Sequence, residues 1–263
     1  MHMHCIDLNS DLGESFGVYS LGEDDKVLES ITSANVACGF HAGDPQVMQR
    51  TVAAAKTREV AVGAHPGHPD LQGFGRRTLA CTPQEAYAFC LYQIGALQAF
   101  CAAQGVELQH VKPHGALYNQ GAQDSHLARA ITEAVRHASA SQKNPLILMG
   151  LAESAYEDAA KAYGIPFAAE AFADRAYTNE GTLVNRREPG AVLHDPKVIS
   201  QRIIEMITQG TVQTISGKRI SLKPASICVH GDTPEAVAIA SELRKNLEAQ
   251  GIALKPLREV LGI

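Results

Sequence analysis

The sequence predicts a parallel β/α barrel of about seven strands with a small β-hairpin insertion. Three observations lead there. Short apolar runs alternate with stretches of helical character, the pattern that gives parallel strands joined by right-handed crossovers. Nearly every apolar run ends in a histidine or an acid followed by Gly or Pro. That suits a closed barrel, in which all strand ends meet on one face, better than an open sheet with one switch point. The length, 263 residues, is that of one α/β barrel, read as a single domain over residues 1–263.

The first strand is residues 5–8. It opens the stretch IDLNSDLGESFG around which the chain is organised, with Asp7, Asn9 and Asp11 followed by Gly13 and Glu14. A short helix over 22–31 follows. Residues 34–38 (ANVAC) form the second strand, running into GFHAGDP. Asp44 and Pro45 then start a helix to about Arg58, as N-cap and first helical residue. Residues 60–63 are the third strand, ending in the long Gly- and Pro-rich loop AHPGHPDLQGFGRR. Thr82 and Pro83 cap a helix to about Gln104, with Tyr87, Leu91, Ile94, Leu97 and Cys101 at helical spacing. Residues 108–112 are the fourth strand, running into PHGALYN, and a helix over 125–138 follows. PLILMG (145–150) is the fifth strand, and a helix through Tyr156 ends near Gly164. Residues 166–171 are the sixth strand, leading into EAFADRAYTNEG. Residues 182–196 read as a loop insertion, and Asp195 and Pro196 open a helix to about Gln209. Residues 211–215 and 219–222 pair as a hairpin. SICVH (226–230) is the seventh strand, and Thr233 and Pro234 cap the last helix.

Composition excludes several classes. The chain is 45% hydrophobic and 19% charged, enough apolar mass for a sizeable core. A net charge of -5, with no basic run longer than Arg76–Arg77 and Arg186–Arg187, argues against a nucleic-acid surface. No apolar stretch approaches the ~20 residues of a membrane span. The six cysteines include no C-x-x-C pair and no signal peptide precedes them, so they read as reduced thiols of a cytoplasmic protein. An apolar patch on a barrel helix would support a homo-oligomer.

The strand ends bring Asp11 and Glu14, His41 and Asp44, His65 and His68, Lys112 and His114, Glu170, Asp174 and Arg175, and His230 and Asp232 toward one face. A lone histidine is usually a hydrogen-bonded structural residue. Delivery of His41, His65, His114 and His230 by separate strands points instead to a functional cluster. Two chemistries suit it. Imidazoles with a carboxylate, Asp11, His41 and His65 foremost, could hold a divalent metal of unspecified identity that acidifies a bound water. Alternatively, carboxylates and histidines could act directly as general acids and bases. No H-E-x-x-H supports the first reading locally. Lys112, Arg76, Arg77 and Arg175 offer cations for a carboxylate or phosphate. The chain has no P-loop and no G-x-S-x-G nucleophile elbow, and Cys38 and Cys228, inside apolar runs, read as inert.

IDLNSDLGESFG, SANVACGFHAGDP, VGAHPGHPDLQGFGRR, VKPHGALYN, EAFADRAYTNEGTLV and CVHGDTPEAV, in this order, resemble the LamB/YcsF family of bacterial 5-oxoprolinase A subunits. The resemblance implies a seven-stranded barrel of the glycoside hydrolase/deacetylase type. It implies ATP-dependent opening of 5-oxo-L-proline to L-glutamate together with B and C subunits, ATP being used through those partners. It places the family's motif positions at Asp11, Glu14, His41, His65, Lys112, His114, Asp174, Arg175, His230 and Asp232. Within that chemistry Asp11 or His41 would activate water, His114 or His230 would protonate the ring nitrogen, and Lys112 with an arginine would hold phosphate or carboxylate. The competing readings are a metal-dependent amide hydrolase or deacetylase that needs no ATP, and a non-catalytic subunit that positions its partners.

Overall fold

The computed structural model describes residues 4–229 and 236–263, so the expected helix cap at Thr233 and Pro234 lies outside the described residues. The elements run β1 (Cys5–Leu12), α1 (Asp24–Val27), β2 (Ser33–Ala37), α2 (Pro45–Thr57), β3 (Ala61–His65), α3 (Pro83–Ala103), β4 (Leu108–Val111), α4 (Gly115–Gln123) and α5 (Ser125–Ser139). They continue with β5 (Ile147–Leu151), α6 (Ala155–Tyr163), β6 (Phe167–Phe172), α7 (Pro196–Gln209), β7 (Thr211–Gln213), β8 (Arg219–Ser221), β9 (Ser226–Cys228), α8 (Ala236–Ala249), β10 (Ala253–Leu254) and α9 (Leu257–Leu261). Strands β1 to β6 and β9 pair in parallel and close on themselves through β1–β9, giving a seven-stranded barrel with β10 added beside the start of β1. The expected hairpin is the antiparallel pair β7–β8.

Local signals set the helix starts. Asp44 caps α2 by accepting from the Gln46 and Val47 amides, ahead of Pro45. Thr82 and Glu85 form a reciprocal capping box on α3, and Asp195 caps α7. Each such cap contributes about 1 kcal/mol. Helix α6 ends on Gly164 in the left-handed conformation, φ 65°. Helix α3 is long and apolar enough by composition to cross a membrane. In the barrel it turns Ala86, Cys90, Ile94, Leu97 and Cys101 inward and packs chiefly on α5.

Several expectations need correction. β1 runs to Leu12 rather than residue 8, because Asn9 to Leu12 continue the ladder with Ser33 to Val36. The helix expected over 22–31 shrinks to the single turn of α1, whose Asp24 carboxylate is drawn back to accept from the Gly13 amide. α4, β10 and α9 have no counterpart in the sequence reading. α9 packs Leu257 against Ile147, Met149 and Ala168, closing the barrel at the strand N-termini.

The apolar core lies between the strands and the helices. Leu8, Val36, Val62, Val111, Leu148 and Ile227 face outward into it. The alternate positions, which face the barrel axis, are largely polar: Asp7, Asn9 and Asp11 on β1, Ser33 and Asn35 on β2, His65 on β3, His110 on β4, Glu170 on β6 and Ser226 on β9. Barrels of this kind usually fill the axis with branched apolar side chains. Here buried polar groups need partners, and a connected set of bonds supplies most of them; among the described residues His110 Nδ1 and Glu170 Oε2 have none. Asp7 accepts from the hydroxyls of Thr32 (2.7 Å), Ser33 (2.6 Å) and Ser226. Asn9 donates to Ser226 and Glu170, and Asn35 donates to Asn9 and Asp11. Gly63 leaves the space for the His110 ring, and a Cβ there would lie 2.0 Å from His110 Nε2.

Candidate active site

Above this column, at the C-terminal ends of the strands, opens a cleft of about 760 Å³ whose lining includes Asp11, Glu14, His65, Arg76, Lys112, His114 and Arg175. Glu14, His41, His65 and His114, all buried, place one ligand-type atom each within 4.8 Å of one another. The barrel brings them from successive strand ends: Glu14 follows β1, His41 follows β2, His65 ends β3, and His114 stands just after β4 at the start of α4.

Two hydrogen bonds fix the tautomers at the heart of this group. His65 Nδ1 lies 2.7 Å from the Lys112 carbonyl, which can only accept, so Nδ1 carries the hydrogen. His114 Nε2 lies 2.8 Å from the Phe74 carbonyl, so it too is the protonated nitrogen. In the neutral rings this leaves His65 Nε2 and His114 Nδ1 bare, yet they face each other at 2.9 Å. Asp11 Oδ2 stands 3.3 Å from the same His65 nitrogen, and Glu14 Oε1 stands 3.6 Å from the His114 nitrogen and 3.2 Å from His41 Nε2. Acceptors turned on one another at such distances call for a shared cation, either a proton or a metal. Burial, then the neighbouring imidazoles, holds His41 well below the usual histidine range. His114 is likewise held low, by burial and then by His65. His41 stacks flat on His114, ring centres 3.7 Å apart, and its Nδ1 is buried without a hydrogen-bond partner among the described residues. Three neutral imidazoles and a carboxylate are a donor set that suits zinc and other divalent first-row ions, so the residues fit a metal. The set differs from the sequence expectation by taking Glu14 and His114 and leaving Asp11 beside it.

Lys112 stands in the floor, almost fully buried. Its ammonium donates to Glu170 at 2.7 Å, Asp11 at 3.0 Å and Asn9 at 3.3 Å, and it lies 3.1 Å from the Cys228 sulfur. Burial works against the charge, but Asp11, Cys228 and Glu170 together hold its pKa well above the usual lysine value. The expected role of Lys112, reaching a bound anion, gives way to one inside the protein, because its charge is matched to the buried Glu170 and the partly exposed Asp11. His110 donates to Asn35 at 2.7 Å, and burial pushes it down to about 3. Burial likewise pushes the Cys38 thiol up to about 12, and raises that of Cys228.

The other expected residues divide. Arg76 lines the cleft with its guanidinium over the Phe74 ring, 4.9 Å from the centroid. Arg77 is absent from the cleft lining. It turns onto Asp70, with Nε 2.9 Å from Oδ1, and its side chain is 59% exposed. Arg175 lines the cleft and is buried, its pKa lowered to about 10 by burial and then by Arg186. Asp174 is buried and is not among the residues that line the cleft. His68 pairs with Gln120 at 2.7 Å and stays outside the cluster. His230 and Asp232 lie outside the described residues. Sequence reasoning missed Asn9, Asn35 and His110 beneath the floor, and Arg186 and Arg187 on the wall. The first three carry a signal, polar residues at every second position of a strand; the arginines carry none.

A parallel barrel with titratable side chains gathered at the C-terminal mouth belongs to the class of β/α-barrel enzymes. Within it, the chain belongs to the LamB/YcsF family, whose model matches residues 6–262. It is 54% identical over 257 residues to the 5-oxoprolinase A subunit of Pyrococcus abyssi, covering 98% of this chain and 99% of that one. The protein of the same name from Alkaliphilus metalliredigens is 52% identical over 250 residues, covering 95% and 96%. Among solved structures, the lactam utilization protein from Thermus thermophilus superposes with a TM-score of 0.89 at 42% identity, covering 95% of this chain and 99% of that one. The T48 deacetylase superposes with a TM-score of 0.51 at 13% identity, covering 99% and 92%, and shares the fold alone.

Proposed function

We propose that this chain is the hydrolytic A subunit of an ATP-coupled 5-oxoprolinase that opens 5-oxo-L-proline to L-glutamate with B and C subunits. The observation that carries the reading is the near full-length similarity to proteins named for that subunit, joined to a cluster of bare, buried nitrogens at the mouth of the barrel. A five-membered lactam resists water until its carbonyl is activated, and phosphorylation of the lactam oxygen supplies that activation. The sequence has no P-loop, so the phosphoryl transfer is assigned to the partner subunits, and this barrel receives the activated ring.

The chain's own residues then divide the work. Lys112 and Asn35 both donate to Asp11 Oδ1, which leaves Oδ2 aimed at His65. The bare nitrogens of His65 and His114 accept the proton of the attacking water, and His114 returns it to the ring nitrogen as the C–N bond breaks. The acyl phosphate so formed gives glutamate and phosphate on addition of a second water. In the alternative arrangement a divalent ion held by Glu14, His41, His65 and His114 would occupy those lone pairs, lower the pKa of a bound water and polarise the carbonyl, leaving Asp11 to take the proton.

Glutamate release from 5-oxoproline tests the reading, measured with this chain alone and with its B and C partners, each with and without ATP. The expected result is turnover only in the mixture and only with ATP. Turnover by the isolated chain without ATP would establish the rival reading, a metal-dependent amide hydrolase, which the ligand-like cluster also favours. Unchanged turnover after Asp11→Ala and His65→Ala would leave only a positioning subunit.

A further inference from the structure

We propose that Arg175, Arg186 and Arg187 form a phosphoryl-binding wall, by which this chain captures the activated, phosphorylated ring and not the free lactam. The proposal rests on the function proposed above and adds to it the residues that recognise the intermediate.

The wall is built on the segment between β6 and α7. Residues 185–188 form a turn in which the Glu188 amide donates to the Asn185 carbonyl (2.9 Å) and the Arg187 amide to Asn185 Oδ1 (3.0 Å). Arg186 and Arg187 occupy the two central positions of that turn, and both line the cleft. Arg175 enters from the base of the same segment. It is more than nine-tenths buried, its Nη2 donates to the Val184 carbonyl at 2.6 Å, and its Nε has no hydrogen-bond partner among the described residues. The segment is braced. Arg202 of α7 donates to the carbonyls of Phe172, Ala173 and Arg175, and Ala176, Val184 and Ala191 pack on one another. The guanidiniums therefore sit on a fixed frame, which lowers the cost of ordering them around a ligand.

Among the described residues their charge is matched only in part, by Asp174 acting on Arg175 without an ion pair between them. Glu153 and Glu180 also line the cleft, but among the described residues none of Arg175, Arg186 and Arg187 forms an ion pair with a carboxylate. Mutual repulsion contributes to the lowered pKa of Arg175. Like charges gathered in a cleft with only partial compensation cost free energy that an incoming anion recovers. Two helix N-termini add to the field: α4 begins at His114 and α6 at Ser154, both at the cleft and both without a side-chain cap bond to their amides. A single α-carboxylate would meet only part of this charge; a phosphoryl group, with three oxygens and close to two charges, meets more of it.

The test uses the full chain with inorganic phosphate as probe, followed by phosphorus NMR and calorimetry, and then the reconstituted complex. We expect saturable phosphate binding that weakens about tenfold or more in Arg175→Gln and in the double variant R186Q/R187Q, while Arg77→Gln binds as the parent does. 5-Oxoproline, which offers a carboxylate only, should not displace the phosphate. In the complex the double variant should raise the ratio of ATP consumed to glutamate released, because activated rings escape and decay. Circular dichroism establishes that each variant is folded, and R186Q/R187Q changes only residues at the cleft edge should Arg175→Gln fail to fold. Displacement by 5-oxoproline would overturn the assignment in favour of a carboxylate site. Weakened phosphate binding with an unchanged ATP-to-glutamate ratio would overturn it as an adventitious anion site. Phosphate binding that depends on these arginines, in a complex that yields no glutamate, would uphold the anion wall and defeat the activity reading.

Discussion

Replacing Gly63 with alanine tests whether the polar column really sets the floor of the site. The added Cβ would lie 2.0 Å from His110 Nε2, 2.2 Å from Cδ2 and 2.3 Å from Cε1, so the ring must move. It has nowhere to go without loss, because it is fully buried and its Nε2 donates to Asn35 at 2.7 Å. Overpacking of this kind costs about 1–3 kcal/mol, and a broken buried hydrogen bond adds about 1–3 kcal/mol. The sum, about 2–6 kcal/mol, lowers the melting temperature by roughly 4–24 °C at about 2–4 °C per kcal/mol for a chain of this size. Asn35 also donates to Asn9 and Asp11, so its displacement reaches the floor of the cleft and turnover falls with stability. Thermal unfolding of Gly63→Ala, His110→Ala and the double variant is the assay. Removing the imidazole makes room for the methyl, so the double variant should be more stable than additivity predicts by more than about 1 kcal/mol. A Gly63→Ala melting temperature within about 1 °C of the parent, or strict additivity, would refute the reasoning.

Three further outcomes are expected. Lys112→Met strands Asp11 and the fully buried Glu170 without their cation and should cost about 3–5 kcal/mol in urea unfolding; a loss below about 1 kcal/mol would mean that the ammonium is not what stabilises them. Zinc added to chelator-treated protein at about a hundredfold excess over its dissociation constant should stabilise it by about 2.7 kcal/mol, and His65→Asn with His114→Asn should abolish both the shift and stoichiometric metal in the purified protein. Asp7 is raised from 3.8 to about 6, first by burial, so it favours the fold while protonated, fully below pH 3.8, and that contribution is lost as pH rises through 6. Asp7→Asn removes the titration, so its stability relative to the parent should improve by about 2–3 kcal/mol between about pH 4.5 and about pH 7.5; a flat difference across that range would contradict the assignment.

What could be read from the sequence follows from how local each signal is. The starts of α2, α3 and α7 were legible because Asp44 with Pro45, Thr82 with Glu85 and Asp195 with Pro196 make their caps within a few residues. The closed barrel was legible because so many apolar runs end in polar chemistry. α4 was not, since Gly115, Asn119 and Gly121 are poor helix formers. Gly121 sits there because Tyr156 packs against it: a Cβ would lie 2.1 Å from the phenol oxygen. No local pattern reports such a tertiary contact. The Glu14, His41, His65 and His114 grouping was half legible. The strand ends named its members, but the pairing of bare nitrogens depends on the carbonyls of Phe74 and Lys112, whose positions only the fold supplies.

The division of the barrel interior bears on how the cleft would use its two walls. The polar column is richest on β1 to β4, and the apolar plug of Ile147, Met149, Ala168 and Leu257 fills the side of β5 and β6 at the opposite end. Acids and imidazoles therefore rise along one side of the mouth. The arginines arrive across it, on the segment that follows β6. On the function proposed above, an anionic, activated ring entering such a cleft would be drawn by its phosphate toward the arginines, which would turn its carbonyl carbon toward His65 and His114. A neutral amide would feel little of that torque. On this argument selectivity for an activated substrate and orientation of the attack would share one physical origin, the placing of Arg175, Arg186 and Arg187 across the cleft from the bare acceptors, with Lys112 and Arg76 on the acceptor side. Moving the charge of Arg186 and Arg187 should alter both together.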